Sequence, residues 1–255
     1  MAGSDLCIDL NADLGETTGG NPVADDAAML EMVSSANVAT GFHAGDPYSI
    51  SKTVKAAAER GVVVGAHVGY NDMAGFGRRF IDYNPAELAS EVTYQIGALE
   101  ALARAAGTRV QYVKPHGALY NTIARDEKQA KAVVDGVRAF GDIPLMLLPG
   151  GVAVDVAEKA GLTVVREAFS DRNYNPDGTL VPRSEDNAVM HDADEVVKRV
   201  YDVATTGSIT AVDGPTLQVD AQSVCTHGDS PGAVELLRGV VRRLEDDGID
   251  IRSFL

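Results

Sequence analysis

The chain has only two cysteines, no tryptophan and no long apolar run. Cys7 and Cys225 stand far apart and without a CxxC spacing, which argues against a disulfide framework and makes a reducing, cytoplasmic setting the expectation. No stretch approaches the ~20 apolar residues of a membrane span, and no basic region leads into an apolar one near the start, so neither a spanning helix nor a signal peptide is expected. Basic residues are outnumbered: 22 Lys and Arg stand against 37 Asp and Glu, for a net charge of -15. A surface this acidic repels phosphate backbones and anionic lipid, which argues against nucleic acid and membranes as partners. Linkers rich in Pro, Gly and Ser are missing too. The 255 residues, 45% of them hydrophobic, are therefore read as one domain over residues 1–255.

What the chain does have is a regular alternation. Strand-like runs cover residues 7–11, 37–40, 62–67, 110–114, 145–148, 163–167 and 223–227. Helix-like runs cover residues 25–35, 48–60, 85–106, 126–140, 151–160, 192–206 and 231–246. Leu88, Val92, Ile96 and Leu99 form an apolar stripe at helical spacing. Asn84-Pro85 has the chemistry of a helix start, and Gly61, Gly107 and Gly161 that of helix ends. Alternating βα units imply a parallel sheet. Seven of them close as a (β/α) barrel one unit short of the usual eight, with an open doubly wound sheet as the rival.

The chemistry gathers where strands end. Four of the five histidines, His43, His67, His116 and His227, sit where a strand-like run gives way to glycine or proline, and the first strand ends in Asp13 and Glu16. In a parallel barrel those ends meet at one face, where active sites lie. Such a set suits either a divalent metal such as zinc or manganese, with Asp13, His43 and His67 as candidate ligands, or a metal-free acid–base site. The plainer reading of any one histidine is a satisfied hydrogen bond at a strand end. Lys114 lies two residues before His116, so both face the same side. It suits a substrate carboxylate or a developing oxyanion; the alternative is a lysine paired with a neighbouring acid. Residues 69–80 and 168–191 are long connections, expected over the same face. Arg78 and Arg79 in the first, and Arg172, Tyr174 and Arg183 in the second, are candidates for gripping an anion, against a reading as solvated surface charge. Cys225 reads as a buried small hydrophobe rather than a thiol nucleophile. There is no GxxxxGK[ST] loop for a nucleotide phosphate.

Longer stretches resemble the LamB/YcsF family: Asp9-Leu-Asn-Ala-Asp-Leu-Gly-Glu16, Ser35-Ala-Asn37 through Gly41-Phe-His-Ala-Gly-Asp-Pro47, Gly65-Ala-His67 with Gly75-Phe-Gly-Arg-Arg79, Tyr112-Val-Lys-Pro-His-Gly-Ala-Leu-Tyr120, Arg166-Glu-Ala-Phe-Ser-Asp-Arg-Asn-Tyr174 and Cys225-Thr-His-Gly-Asp229. The resemblance covers nearly the whole chain. It implies a barrel of the glycoside hydrolase/deacetylase kind and the ATP-dependent opening of 5-oxo-L-proline (pyroglutamate) to L-glutamate, ATP being a co-substrate. It also implies partner subunits B and C of a 5-oxoprolinase. On that reading Asp13, His67, Lys114 and His116 are catalytic, while Asn11, Glu16, His43, Arg78, Arg79, Arg172, Tyr174 and His227 bind substrate. The alternatives are a metal-dependent deacetylase or amidohydrolase, by analogy of fold, and a non-catalytic substrate-binding subunit.

Overall fold

In the first strand, β1 (Cys7–Leu14), apolar Ile8, Leu10, Ala12 and Leu14 alternate with polar Asp9, Asn11 and Asp13, and all of them are buried. A period of two puts the two sets on opposite faces. A strand buried on both faces belongs to an inner layer. The computed structural model, which describes residues 6–212, 214–229 and 232–255, places it there. The remaining strands are β2 (Ser35–Ala39), β3 (Val63–Val68), β4 (Val110–Pro115), β5 (Leu145–Leu147), β6 (Val164–Phe169) and β7 (Ser223–Cys225). Each pairs in parallel with the next in chain order, and β7 returns to β1, with Asp9 beside Ser223 and Asn11 beside Cys225. The sheet is a closed barrel of seven parallel strands, which removes the open-sheet rival.

Helices Pro47–Arg60, Pro85–Ala105, Glu127–Phe140, Val152–Lys159, Ala193–Thr206 and Ala233–Asp246 pack outside. Asn84 caps its helix, its side-chain oxygen accepting from the Ala86 N–H at 2.9 Å, and Gly61 closes another at φ 71. Pro231, where the last helix was expected to begin, lies outside the described residues. The helix expected over residues 25–35 is only the single turn Asp26–Met29. Ser34 and Ser35 each donate a hydroxyl to Asp9 at 2.6 Å, which commits the chain there to the sheet. Among the elements not expected are helix Gly117–Ile123, which starts directly after His116, a hairpin of Ser208–Thr210 with Thr216–Gln218, and the short strand Asp250–Ile251 that pairs with β1 outside the barrel. Among the described residues no helix is long and apolar enough to cross a membrane.

The barrel interior has two layers. At the end where the strands begin, the Tyr112 ring lies against Gly65; a Cβ there would stand 2.2 Å from the ring, so only glycine fits. Met146, Val165 and Phe254 pack around that ring. The rest of the interior is polar. Burial pushes the Asp9 carboxyl up to about 6, although the Ser223, Ser34 and Ser35 hydroxyls donate to it.

Candidate active site

Lys114 projects from β4 into the polar layer and is 2% exposed. Its ammonium lies 2.8 Å from Glu167 Oε1 and 3.1 Å from Asp13 Oδ1, and donates to Asn11 Oδ1 at 3.2 Å. The Cys225 sulfur is 3.1 Å away. An ammonium has three donors, so these groups occupy it and leave nothing for a ligand. Burial opposes its charge, but the Asp13 and Glu167 carboxylates and the Cys225 sulfur outweigh that and hold its pKa well above the ordinary lysine value. Asp13 shows the converse. Burial raises its pKa, yet His67 and Lys114 together hold the carboxyl well below the usual range, so it is an anion. Asn11 ties the layer together, donating to Glu167 at 2.9 Å and Ser223 at 2.7 Å while accepting from Asn37 at 2.6 Å.

Above this layer three imidazoles meet one carboxylate. His43 stacks on His116 with centroids 3.8 Å apart, and His67 stands edge-on to both. Glu16 Oε1 is 3.1 Å from His43 Nε2, 3.5 Å from His116 Nδ1 and 4.0 Å from His67 Nε2. The outer nitrogens fix the tautomers. His67 Nδ1 faces the Lys114 carbonyl at 3.0 Å, and His116 Nε2 faces the Phe76 carbonyl at 2.8 Å. Carbonyls only accept, so both of those nitrogens carry hydrogen. In neutral rings the other nitrogens, His67 Nε2 and His116 Nδ1, are then both lone pairs, yet they face each other at 3.0 Å. Either one further proton or a cation lies between them. Burial drives the His43 and His116 pKa values well below the ordinary imidazole range and raises that of Glu16.

The donor set also fits a metal ion. Tetrahedral zinc with bonds of ~2.0–2.1 Å has ligand atoms roughly 3.3 Å apart. The His67–His116, Glu16–His43 and Glu16–His116 separations of 3.0, 3.1 and 3.5 Å lie near that value, and Glu16–His67 at 4.0 Å is wider. Asp13 is outside this quartet. It falls in a second group with Cys225 and His227, although its Oδ2 reaches His67 Nε2 at 3.3 Å.

The first long connection presses down on the imidazoles. Asp72 accepts from the Gly75 N–H at 3.0 Å and pairs with the Arg79 guanidinium. Arg79 is thus turned toward Asp72 and 66% exposed, outside the cleft. Gly77 adopts φ 63, and a Cβ on it would lie 2.7 Å from His43 Cβ and 2.8 Å from His116 Cδ2. Gly77→Ala therefore combines left-handed strain of about 1–2 kcal/mol with displacement of two imidazoles. The expected result is a lower melting temperature and lost turnover. Gly178→Ala, with φ 83 but open space around it, should show the strain alone. Equal effects in the two variants would mean that the imidazoles do not need this glycine.

The cleft at the barrel mouth measures about 40 Å³ and is lined by Asp13, Glu16, Arg78, His116, Gly117, Arg183, His227, Gly228 and Asp229. Arg78 pairs with Asp229 at 2.7 Å, and His227 Nδ1 donates to Asp171 at 2.9 Å. Asn11, His43 and His67 lie beneath it, buried. Arg172 is buried in the second connection and donates to the carbonyls of Val181 and Ala188. Tyr174 is fully buried, and its hydroxyl accepts from the Phe169 N–H at 2.8 Å, a bracing contact away from the cleft. Sequence reasoning passed over Glu167 and Asp229. Glu167 had a signal, since it interrupts an apolar strand as Lys114 does.

Known proteins share this sequence and fold. The model of the LamB/YcsF family matches residues 8–255. A protein of Corynebacterium jeikeium, named as the A subunit of 5-oxoprolinase, is 66% identical over 253 residues, covering 99% of this chain and 98% of that protein. The crystal structure of a lactam utilization protein from Thermus thermophilus superposes with a TM-score of 0.92 at 43% identity, over 97% of this chain and 100% of that one. The catalytic domain of a peptidoglycan N-acetylglucosamine deacetylase from Eubacterium rectale reaches a TM-score of 0.52 at 11% identity, over 100% of this chain and 91% of that one, a likeness of fold alone. With its motifs, closed barrel and near-complete sequence match in agreement, the chain belongs to the LamB/YcsF family.

Proposed function

We propose that this chain is the lactam-opening subunit of an ATP-dependent 5-oxoprolinase, converting 5-oxo-L-proline to L-glutamate together with partner subunits B and C. It would act as one domain, in the cytoplasm. The relatives' names support the substrate. The observation that carries the chemistry is the ionised Asp13 beside two imidazoles whose free nitrogens face each other at the barrel mouth.

A five-membered lactam is a resonance-stabilised amide and a poor electrophile. Transfer of the ATP γ-phosphoryl group to the lactam oxygen, on a partner, gives an activated ring carbon and ADP. Water adds to that carbon and loses a proton to the enzyme. The ring C–N bond then breaks, the nitrogen takes up a proton, and an acyl phosphate remains. A second water splits this to the carboxylate and phosphate. The sum is lactam, ATP and two waters giving glutamate, ADP and phosphate.

In this reading His116, coupled to His67, takes the proton from water, and Asp13 supports the positive charge that develops. Glu16 and His43 hold the imidazoles in place. Lys114 keeps Asp13 ionised and is a positioning residue. In the alternative filling of the gap between the facing nitrogens, Glu16, His43, His67 and His116 would hold a divalent ion, which would supply Lewis-acid polarisation, and His116, then a ligand, would no longer be the base.

The test is glutamate and phosphate formation from 5-oxo-L-proline and ATP, with this chain alone and with its partners, before and after chelation. Turnover only in the complete mixture, with ATP, is expected. Loss on chelation, restored by a single metal, would place a cation between the facing nitrogens. Efficient opening without ATP would favour the amidohydrolase reading and overturn this one.

A further inference from the structure

Beside the small cleft lies a much larger cavity of about 560 Å³, sharing Arg78, Gly117 and Arg183 with it. Four guanidinium groups line it: Arg78, Arg125, Arg172 and Arg183. This is a local reversal in a chain of net charge -15. Of the four, only Arg78 and Arg183 have a carboxylate within ion-pair distance among the described residues, while Asp171 and Asp177 act on Arg172 and Arg125 from further away. One carboxylate, Asp229, serves both Arg78 at 2.7 Å and Arg183 at 3.8 Å. The only acidic lining residue, Asp126, accepts the Gln129 N–H at 3.0 Å as a helix cap.

Arg172 is the telling residue. It is 4% exposed, and its hydrogen bonds go to neutral carbonyls, those of Ala188 at 3.2 Å and Val181 at 2.6 Å. Burial and then the neighbouring Arg183 charge pull its pKa down to about 10, so it is still a cation at neutral pH. A desolvated cation whose hydrogen bonds go to neutral carbonyls, beside another cation and opposed only at longer range by the Asp171 carboxylate, is stabilised by an added anion. Guanidinium groups pair with phosphoryl oxygens through two parallel hydrogen bonds, which suits a multiply charged phosphoryl group better than a single carboxylate.

The two volumes divide the work. The cleft over Asp13 and His116, at about 40 Å³, has room for about one water, whose share of the liquid is ~30 Å³. The larger cavity has room for a small organic anion. We propose that the arginine cavity is a phosphoryl-anion site that receives the phosphorylated lactam from the partner, its phosphoryl group between Arg78, Arg125, Arg172 and Arg183 and its reacting carbon toward the water in the cleft. The proposal rests on the ATP-coupled reading above for the identity of the ligand, and on the arginine cavity for the site.

Calorimetric titration of the full chain with inorganic phosphate at fixed ionic strength, alongside acetate as the carboxylate comparison, tests it without partners or turnover. Saturable phosphate binding is expected, weakened roughly tenfold or more in Arg183→Gln and Arg125→Gln, as loss of a hydrogen bond to a charged group implies. Both residues are at least partly exposed, so these variants should keep the wild-type circular dichroism, and Lys131→Gln on an outer helix should bind as wild type. Absence of saturable binding, or binding untouched in both arginine variants, would overturn the site. Acetate displacing phosphate at equal concentration would overturn the phosphoryl assignment in favour of a carboxylate site. Each of these results can occur while ATP-coupled glutamate formation stands, so the two readings fail separately.

Discussion

Lys114→Met is expected to lower the free energy of unfolding by about 3–5 kcal/mol, the range seen when one partner of a buried ion pair is removed. The ammonium is the cation placed between Asp13 and Glu167 in the closed barrel, 3.1 and 2.8 Å from them. Without it two carboxylates remain buried near each other. The sign of the pH dependence follows. In the native chain the Asp13 pKa is held below its unfolded value, so its contribution is present above the ordinary carboxylate range and is lost as pH falls through the folded pKa. In the variant burial dominates, the carboxyl pKa rises, and acid relieves the repulsion. Urea unfolding should therefore show the largest gap from wild type near neutral pH and a smaller gap as pH falls through the carboxylate range. Adding Glu167→Gln to Lys114→Met should recover part of the loss. A gap independent of pH, or below the ~1 kcal/mol of a surface pair, would show that the lysine does not neutralise these acids.

The second large effect concerns turnover. Asp13→Asn and His116→Ala are each expected to reduce kcat for glutamate formation in the assembled complex by about 10²–10⁴-fold, the usual range for a positioned acid–base group. Asp13→Asn keeps the size of the side chain and removes the charge facing His67 Nε2 at 3.3 Å. His116→Ala removes one of the two facing nitrogens. KM should change little if these groups handle the water rather than the substrate. Lys131→Ala, 70% exposed and paired with Asp135 on the next helical turn, serves as the control and should leave kcat unchanged. Near-normal kcat in either variant would remove that residue from the reaction.

The strand order was legible because it rests on local patterns. All seven strand-like runs became barrel strands, and the histidines at their ends came together at one face. What could not be read was how the interior pairs. Lys114 reads as a cation for a substrate carboxylate or oxyanion, with a paired acid as the alternative, but that the acid is Glu167, in a strand distant in sequence, has no local signal. Period and propensity say which face a side chain takes, not what meets it across a barrel. The same holds for Arg79, which the linear order offers to the cleft and Asp72 captures. The single turn Asp26–Met29 was misjudged because Ser34 and Ser35 answer to Asp9, a contact between strands. Helix Gly117–Ile123 was missed because its start coincides with the His116-Gly117 strand end, which reads as a turn.

The Tyr112 ring wedged over Gly65 has one more implication. Together with Phe254 it stoppers the barrel at the end where the strands begin, so the polar interior is a vessel with a single opening. Asp13 and His116 line the cleft at the other end, beside the Arg78–Asp229 pair. The loop that shapes the imidazoles thus also borders that opening. A surface laid over the mouth would cover Asp13 and His116 while leaving His43 and His67, buried beneath, untouched.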